Sequence, residues 1–312
     1  MTGGPTRLAV VDLGSNSVRL LLCERIGPDG PEGVRTSTVT ALRRGAGEDG
    51  TIAPAALERL DTCLAGYGES VVAFAPGRVV VAGTSAVRDA PNRAAVAEVV
   101  ERRLGAVLTV LDGDQEARTA FAGARLGAPG DGEIMVLDVG GASTELVRGA
   151  ADGPTAALSL QLGAVRQTER HLQHDPPTAD EVDALRDEAR MLVAAALERI
   201  GGPTTAVGVA GTITTLAAIE LGGYDPARVH GHRLTRPTVE RLATMLCATT
   251  TKERRGIPGL EPARAEVIPA GALIVASVLE VAGLSSMAVS ERDILDGLAL
   301  AAVNPSSGLF RL

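Results

Sequence analysis

Two stretches decide the fold: Leu8-Ala9-Val10-Val11-Asp12-Leu13-Gly14-Ser15-Asn16-Ser17-Val18-Arg19-Leu20 and Ile134-Met135-Val136-Leu137-Asp138-Val139-Gly140-Gly141-Ala142-Ser143-Thr144-Glu145-Leu146. Each is an apolar run carrying an Asp near its end, then a turn of small residues, then a second apolar run. That order predicts a β-hairpin with a tight connection. The two stand at a constant interval. Asp138 lies 126 positions after Asp12, and Ser143 and Leu146 answer Ser17 and Leu20 at the same spacing. A second landmark also returns, Val81-Ala82-Gly83-Thr84 as Val209-Ala210-Gly211-Thr212, 128 positions on. Two independent matches at nearly one offset identify a duplicated domain.

Working outward, the first half predicts strands at Leu8–Leu13, Ser17–Ile26 and Val34–Ala41, then a helix from Pro54 to about Phe74. A strand at Arg78–Ala82, a helix at Arg93–Leu104 and a strand at Val107–Leu111 follow, and Asp114 is expected to cap a helix over Gln115–Leu126. Gly127 to Gly132 is a loop signal and the expected domain boundary. The pattern then restarts with strands at Ile134–Val139, Ala142–Arg148 and Thr155–Gln161, helices at Val165–His171 and Thr178–Ile200, a strand at Thr205–Val209 and a helix from Thr212. This is an α/β arrangement in which each half forms a mixed sheet covered by helices. Two such halves facing each other leave an interdomain cleft lined by both glycine-rich turns.

Composition narrows the chemistry. The 312 residues carry 30 Lys plus Arg against 38 Asp plus Glu, a formal charge of -8, which argues against nucleic-acid binding through bulk positive charge. Aromatic content of 2% with no Trp leaves little for base or sugar stacking. Three dispersed cysteines, Cys23, Cys63 and Cys247, read as reduced thiols of a cytoplasmic protein, and four histidines do not support a zinc site. The N-terminus lacks a signal-peptide core. The apolar run Val267–Leu279 is short of the roughly 20 residues a membrane span needs, so it reads as core first and only secondarily as a homodimer surface.

The turns suggest phosphate. Small residues let backbone amides approach an anion closely, and the hydroxyls add donors. Arg19 in the first hairpin stands where Glu145 stands in the second, so Arg19 is expected to meet phosphate oxygens. Asp138 and Glu145 offer hard oxygen ligands to Mg²⁺ or another divalent cation. The bland alternatives are a solvated strand charge and a turn-stabilising carboxylate. Gly83-Thr84-Ser85 and Gly211-Thr212 end buried strands and present amides to an anion, with Arg88 close behind the first; a simple cap is the alternative for Thr212. Glu116, in the first turn of its helix, either complements the helix dipole or orients and deprotonates an attacking water.

These residues resemble the exopolyphosphatase and guanosine pentaphosphate phosphatase family, within the sugar kinase, Hsp70 and actin superfamily. The resemblance runs through Val11–Leu20, Gly83–Ala90, Gln115–Arg118, Asp138–Leu146, Leu162–Arg166, Gly208–Leu216 and Val267–Ala272 in family order. It implies duplicated actin-like (ribonuclease H-like) domains, each a five-stranded mixed sheet, spanning residues 1–127 and 128–293, with the helix after Asp293 (about 294–312) returning to the first. It implies phosphate binding by Ser15, Asn16 and Arg19 and by Gly140, Gly141, Ser143 and Thr144, with Thr84, Ser85, Arg88, Gly211 and Thr212 around them. Glu116 is implied as general base and Asp138 with Glu145 as the Mg²⁺ ligands. The implied activity is release of orthophosphate from inorganic polyphosphate, with short chains favoured. The alternatives are hydrolysis of guanosine pentaphosphate, an ATP-dependent kinase or ATPase of the same fold, and a non-catalytic sensor. Three departures stand out: Ala142 replaces a glycine and restricts positive φ, the chain stops at Leu312 without the helical domains of long members, and the negative net charge opposes a polyanion. Local capture would then rest on Arg19, Arg88, Arg166, Arg233 and Arg236, beside His230 and His232.

Overall fold

A computed structural model describes residues 7–304 apart from 48, 127, 129, 131, 203 and 204. Half of the predicted Gly127–Gly132 boundary is described; its residues 127, 129 and 131, like the chain beyond residue 304, lie outside the described residues. The described residues fall into two compact units, one formed by those up to Leu126 together with those from Ile294 onward, the other by those between.

The first unit is organised by β1 (Leu8–Leu13), whose six side chains are all buried. It pairs antiparallel with β2 (Ser17–Gly27), which pairs antiparallel with β3 (Gly30–Val39). The chain then forms α1 (Pro54–Phe74), β4 (Arg78–Gly83), α2 (Ser85–Asp89), α3 (Arg93–Leu104), β5 (Leu108–Val110) and α4 (Gly113–Arg125). Strands β4 and β5 add in parallel on the other side of β1, giving the order β3-β2-β1-β4-β5. Pro54 starts α1 where a missing N–H costs nothing, and Gly105 ends α3 in the left-handed region at φ 59°. The cap of α4 is Asp112, not Asp114. Asp112 accepts from the Gln115 amide at 2.8 Å while Gln115 accepts from the Asp112 amide at 3.0 Å. Only Asp112 has a Gln three residues on to close this reciprocal pair. Asp114 instead receives Arg118 at 2.7 Å.

The second unit runs β6 (Ile134–Val139), β7 (Thr144–Ala150), β8 (Gly153–Leu160), α5 (Ala164–His171), α6 (Ala179–Ile200), β9 (Ala206–Val209), α7 (Ala210–Leu221), α8 (Pro226–Val229), β10 (Arg233–Thr235), α9 (Arg236–Cys247), α10 (Thr251–Arg254), α11 (Ile268–Val281) and β11 (Ser286–Val289). Its strand order is β10-β11-β9-β6-β7-β8. From β8 to β11 this repeats the order of the first sheet, but β10 adds a sixth strand, antiparallel to β11, where five were expected. Only Leu234 is buried in that three-residue strand, too little alternation to read from sequence. Helix α11 is buried from Ile268 through Leu279, so this apolar run is interior to the unit and offers no dimer surface.

The chain closes with α12 (Ile294–Val303), which belongs to the first unit. Ile294, Leu295, Leu298, Ala299 and Ala301 pack with Leu8, Val10, Leu21, Val80 and Ala82 on one face of the sheet, and α1 and α3 cover the other. Helix α12 meets α4 closely enough that a Cβ on Gly297 would sit 1.9 Å from the Thr119 carbonyl oxygen. The fully buried Asp296 accepts from Arg35 of β3 at 2.5 Å, which ties the helix to the sheet edge. Among the described residues no helix is long and apolar enough to cross a membrane.

Candidate active site

In the first unit the turn between β1 and β2 closes through the Gly14 amide, which donates to the Ser17 carbonyl at 3.1 Å. The same bond closes the turn of the second unit, from Gly140 to Ser143 at 3.0 Å. A side chain on Gly14 would place Cβ 2.8 Å from the Ser17 carbonyl oxygen, so the turn needs glycine for space. Neither that glycine nor Ala142 adopts a positive φ. The substitution at Ala142 therefore does not restrict the loop as the sequence suggested. Ala142 is fully buried and its carbonyl accepts from Arg166 Nε at 2.8 Å.

The first turn is joined to the corner after β4. The Ser15 and Ser85 hydroxyls lie 3.3 Å apart, and Thr84 donates its hydroxyl to the Leu13 carbonyl at 3.3 Å. Helix α2 carries Ser85 at its first position and Arg88 three residues on, so one turn of helix spaces the two. Arg88 Nη1 donates to Glu116 at 2.7 Å and to the Leu111 carbonyl at 2.9 Å. Glu116 is 7% exposed, which makes its carboxylate a nearly buried group held by a guanidinium. Arg19 is likewise paired, giving Nε at 3.0 Å and Nη2 at 2.7 Å to one oxygen of Asp12. Both arginines assigned to phosphate thus rest on carboxylates of their own unit.

In the second unit the turn is tied to α5. The amides of Ala164, Val165 and Arg166 donate to the carbonyls of Gly140, Gly141 and Gly141 at 2.9, 2.8 and 3.0 Å. Carbonyl dipoles engaged this way are turned to α5 and oppose an approaching anion less. Gly163 makes the approach feasible, because a Cβ there would lie 2.3 Å from the Ala142 carbonyl carbon. Thr144 is fully buried and donates its hydroxyl to the Leu162 carbonyl, so its side chain fastens the turn instead of offering a donor to a ligand.

Asp138 and Glu145 are direct cross-strand partners, 8% and 2% exposed, as Asp12 and Arg19 are in the first unit. The exchange of Arg19 for Glu145 converts a cross-strand ion pair into two facing buried carboxylates. Like charges directly opposite are destabilising, and a bound cation relieves them. Ser159 donates to one oxygen of Glu145 at 2.8 Å and orients it. Among the described residues there is no cluster of three or more His, Cys, Asp or Glu able to hold a metal. Two carboxylates suit Mg²⁺, which commonly takes one or two from protein and completes its shell with water and phosphate.

At the second corner, Ala210 has φ 66°, a left-handed conformation unusual for a residue with a side chain. Gly211 follows, and a Cβ there would fall 2.3 Å from an Arg264 guanidinium nitrogen. Arg264 thus lies directly over the start of α7, a cation the sequence reading missed. Its one signal is the strictness of Gly211, which only the fold reveals. Thr212 is buried, its methyl carbon 2.6 Å from where a Gly271 Cβ would be. The basic residues expected to assist are engaged around the sheet edge: His232 with Glu220 at 2.8 Å, His230 Nδ1 accepting from the Glu291 amide at 3.2 Å, and Arg233 with Ser286 at 2.8 Å.

Two sheets of one topology, each with an Asp-bearing strand, a small-residue turn and a Gly-Thr corner, define a duplicated actin-like protein of the phosphate-handling class. Residues 34–304 match the Ppx/GppA phosphatase family. Exopolyphosphatase 2 of Mycobacterium tuberculosis is 37% identical, over 95% of this chain and 98% of its own. The guanosine-5'-triphosphate,3'-diphosphate pyrophosphatase of Vibrio atlanticus is 29% identical over 96% of this chain and 59% of its own. The crystal structure of the Aquifex aeolicus Ppx/GppA family member superposes with a TM-score of 0.81 at 31% identity, over 96% of this chain and 98% of that one. An exopolyphosphatase from Cytophaga hutchinsonii gives 0.87 at 25% identity, over 96% and 98%. The chain belongs to the Ppx/GppA phosphatase family.

Proposed function

We propose that this protein is a cytosolic, divalent-cation-dependent phosphoanhydride hydrolase that releases orthophosphate from the end of inorganic polyphosphate. The observation that carries the choice of substrate is the mycobacterial exopolyphosphatase, which is coextensive with this chain at 37% identity. The guanosine pentaphosphate reading draws on relatives of which the chain spans 59%, and it is the second reading.

In this reading the phosphate-binding groups are, in the first unit, the amides and hydroxyls of Ser15, Asn16, Thr84 and Ser85 and, in the second, the backbone of Gly140, Gly141, Ser143, Gly211 and Thr212. Arg19 and Arg264 add charge-assisted donors. Asp138 and Glu145 would hold the divalent cation, which when bound supplies neutralising charge at the phosphate oxygens. Glu116 accepts a proton from the attacking water and aims it along the line of the scissile bond. Arg88 holds that carboxylate in place, donating to it at 2.7 Å. Arg19 must share its guanidinium between Asp12 and the phosphate, and its five N–H donors allow both at once.

The deciding experiment assays orthophosphate release from short and long polyphosphate, guanosine pentaphosphate and ATP, each with Mg²⁺ and with a chelator. Nucleotide-free release from polyphosphate that stops on chelation is the expected result. Release from guanosine pentaphosphate alone selects the second reading, release or transfer only from ATP indicates a kinase or ATPase, and tight binding without release indicates a sensor.

A further inference from the structure

The terminal phosphoryl group accounts for one end of a polyanion, and a protein of net charge -8 has no bulk field to hold the remainder. The segment that follows β3 bears on this. Its Thr40 and Ala41 amides donate to the Asn16 carbonyl at 3.0 and 2.8 Å, and its Arg43 amide donates to the Ser15 carbonyl at 3.1 Å. From the opposite side Arg59 of α1 donates Nε to the Thr40 carbonyl at 2.6 Å and Nη2 to the Ala41 carbonyl at 2.9 Å. Thr40, Ala41 and Leu42 are buried, and Ala41 is held at φ 47°. Strain of that kind in a residue with a side chain persists only where the surroundings impose it, and here it folds the segment back against Ser15 and Asn16.

Two consecutive arginines leave this mount, Arg43 half-buried and Arg44 exposed. The backbone of Arg43 is bonded to Ser15 itself, so both side chains start within their own length of the first turn. Neither belongs to the repeated landmarks. We propose that Arg43 and Arg44 form a second phosphate subsite, serving phosphoryl groups beyond the one that is cleaved, with Arg59 as the positioning residue that fixes their mount. The inference rests on the phosphohydrolase reading above. The ligand chemistry is a run of consecutive phosphates, which both linear polyphosphate and a nucleoside triphosphate end supply. The planar guanidinium, with its paired donors, matches it well.

The test compares the wild-type chain with Arg43→Gln, Arg44→Gln and the double variant on tripolyphosphate, long-chain polyphosphate and guanosine pentaphosphate. A charge-assisted contact corresponds to about a tenfold change in affinity, so KM for long-chain polyphosphate should rise on the order of tenfold per arginine, with a smaller rise on tripolyphosphate. Equal effects on long chains and on guanosine pentaphosphate mark a subsite for phosphates in general; an effect on long chains alone marks one for polyphosphate. Arg59→Met should raise KM in the same sense and Arg59→Lys should restore part of it, with thermal melting confirming that both variants fold. A double variant with wild-type KM on every substrate overturns the proposal. If the wild-type chain releases no phosphate at all, the hydrolase reading fails. Calorimetric binding of long-chain polyphosphate then decides separately: weaker binding by the double variant supports the subsite, and equal binding rejects it.

Discussion

Replacing Glu116 by Gln separates catalysis from structure cleanly. The side chain is nearly buried and accepts from Arg88 at 2.7 Å. Gln has the same shape and keeps an oxygen acceptor for Arg88, so the packing survives and only the charge and basicity go. A charge-assisted hydrogen bond is worth about 1.5–3 kcal/mol and a neutral one about 0.5–1.5 kcal/mol, so the variant should lose roughly 1–2 kcal/mol of stability. For a domain of this size that lowers Tm by about 2–8 °C. Loss of a positioned general base should slow turnover by about 10²–10⁴, equivalent to roughly 3–5.5 kcal/mol on the barrier. The assay is orthophosphate release at saturating polyphosphate, run beside a melting curve. Asp114→Asn serves as control, because that exposed carboxylate two residues away pairs with Arg118 and its loss should leave turnover near wild type. A Glu116→Gln enzyme that melts within this range yet turns over within tenfold of wild type would refute the assignment of the base.

Gly297→Ala should destabilise the first unit by about 1–3 kcal/mol or more, since the added carbon meets the Thr119 backbone at 1.9 Å and α12 must move off α4; urea unfolding measures it. Glu181, the reciprocal capping partner of Thr178 on α6, has its pKa lowered from 4.5 to about 2, chiefly by the His174 hydrogen bond and further by the Thr178 and Gln173 amides. Its folded value lies below its unfolded one, so the stabilisation is complete above about pH 4.5 and is lost as pH falls towards 2. Glu181→Gln should flatten that part of the acid-unfolding curve. Asp138→Asn should relieve the like-charge pair with Glu145, raising or preserving Tm without metal, while demanding more Mg²⁺ for turnover; unchanged Mg²⁺ activation would move the cation elsewhere.

The hairpins were legible in the sequence because duplication writes the same constraint twice. The bounds of β1 and β6 match the reading at both ends, and the equivalence of Arg19 with Glu145 became a true register equivalence across each hairpin. Strands β10 and β11 were not legible, being three and four residues long with little alternation, and depending on each other and on β9 for pairing. The cap of α4 was misplaced by two residues because Asp112 and Asp114 both flank Gly113, and only the pairing with Gln115 separates them. Side-chain partners were less legible still. Residue type alone marks Arg19, Arg88 and Thr144 as donors, but not that Asp12, Glu116 and the Leu162 carbonyl already receive them. Arg264 was invisible for the opposite reason, since its importance lies in a glycine more than fifty residues earlier.

The placement of α12 inverts the order in which the units can mature during synthesis. The sheet face lined by Leu8, Val10, Val80 and Ala82 is covered by residues 294–303, so it stays wet on the ribosome until those residues have emerged. The unit made later needs nothing beyond Asp293 and can condense first. The earliest-translated half is therefore the last to become dry, and it is the half in which a nascent chain depends most on protection from aggregation.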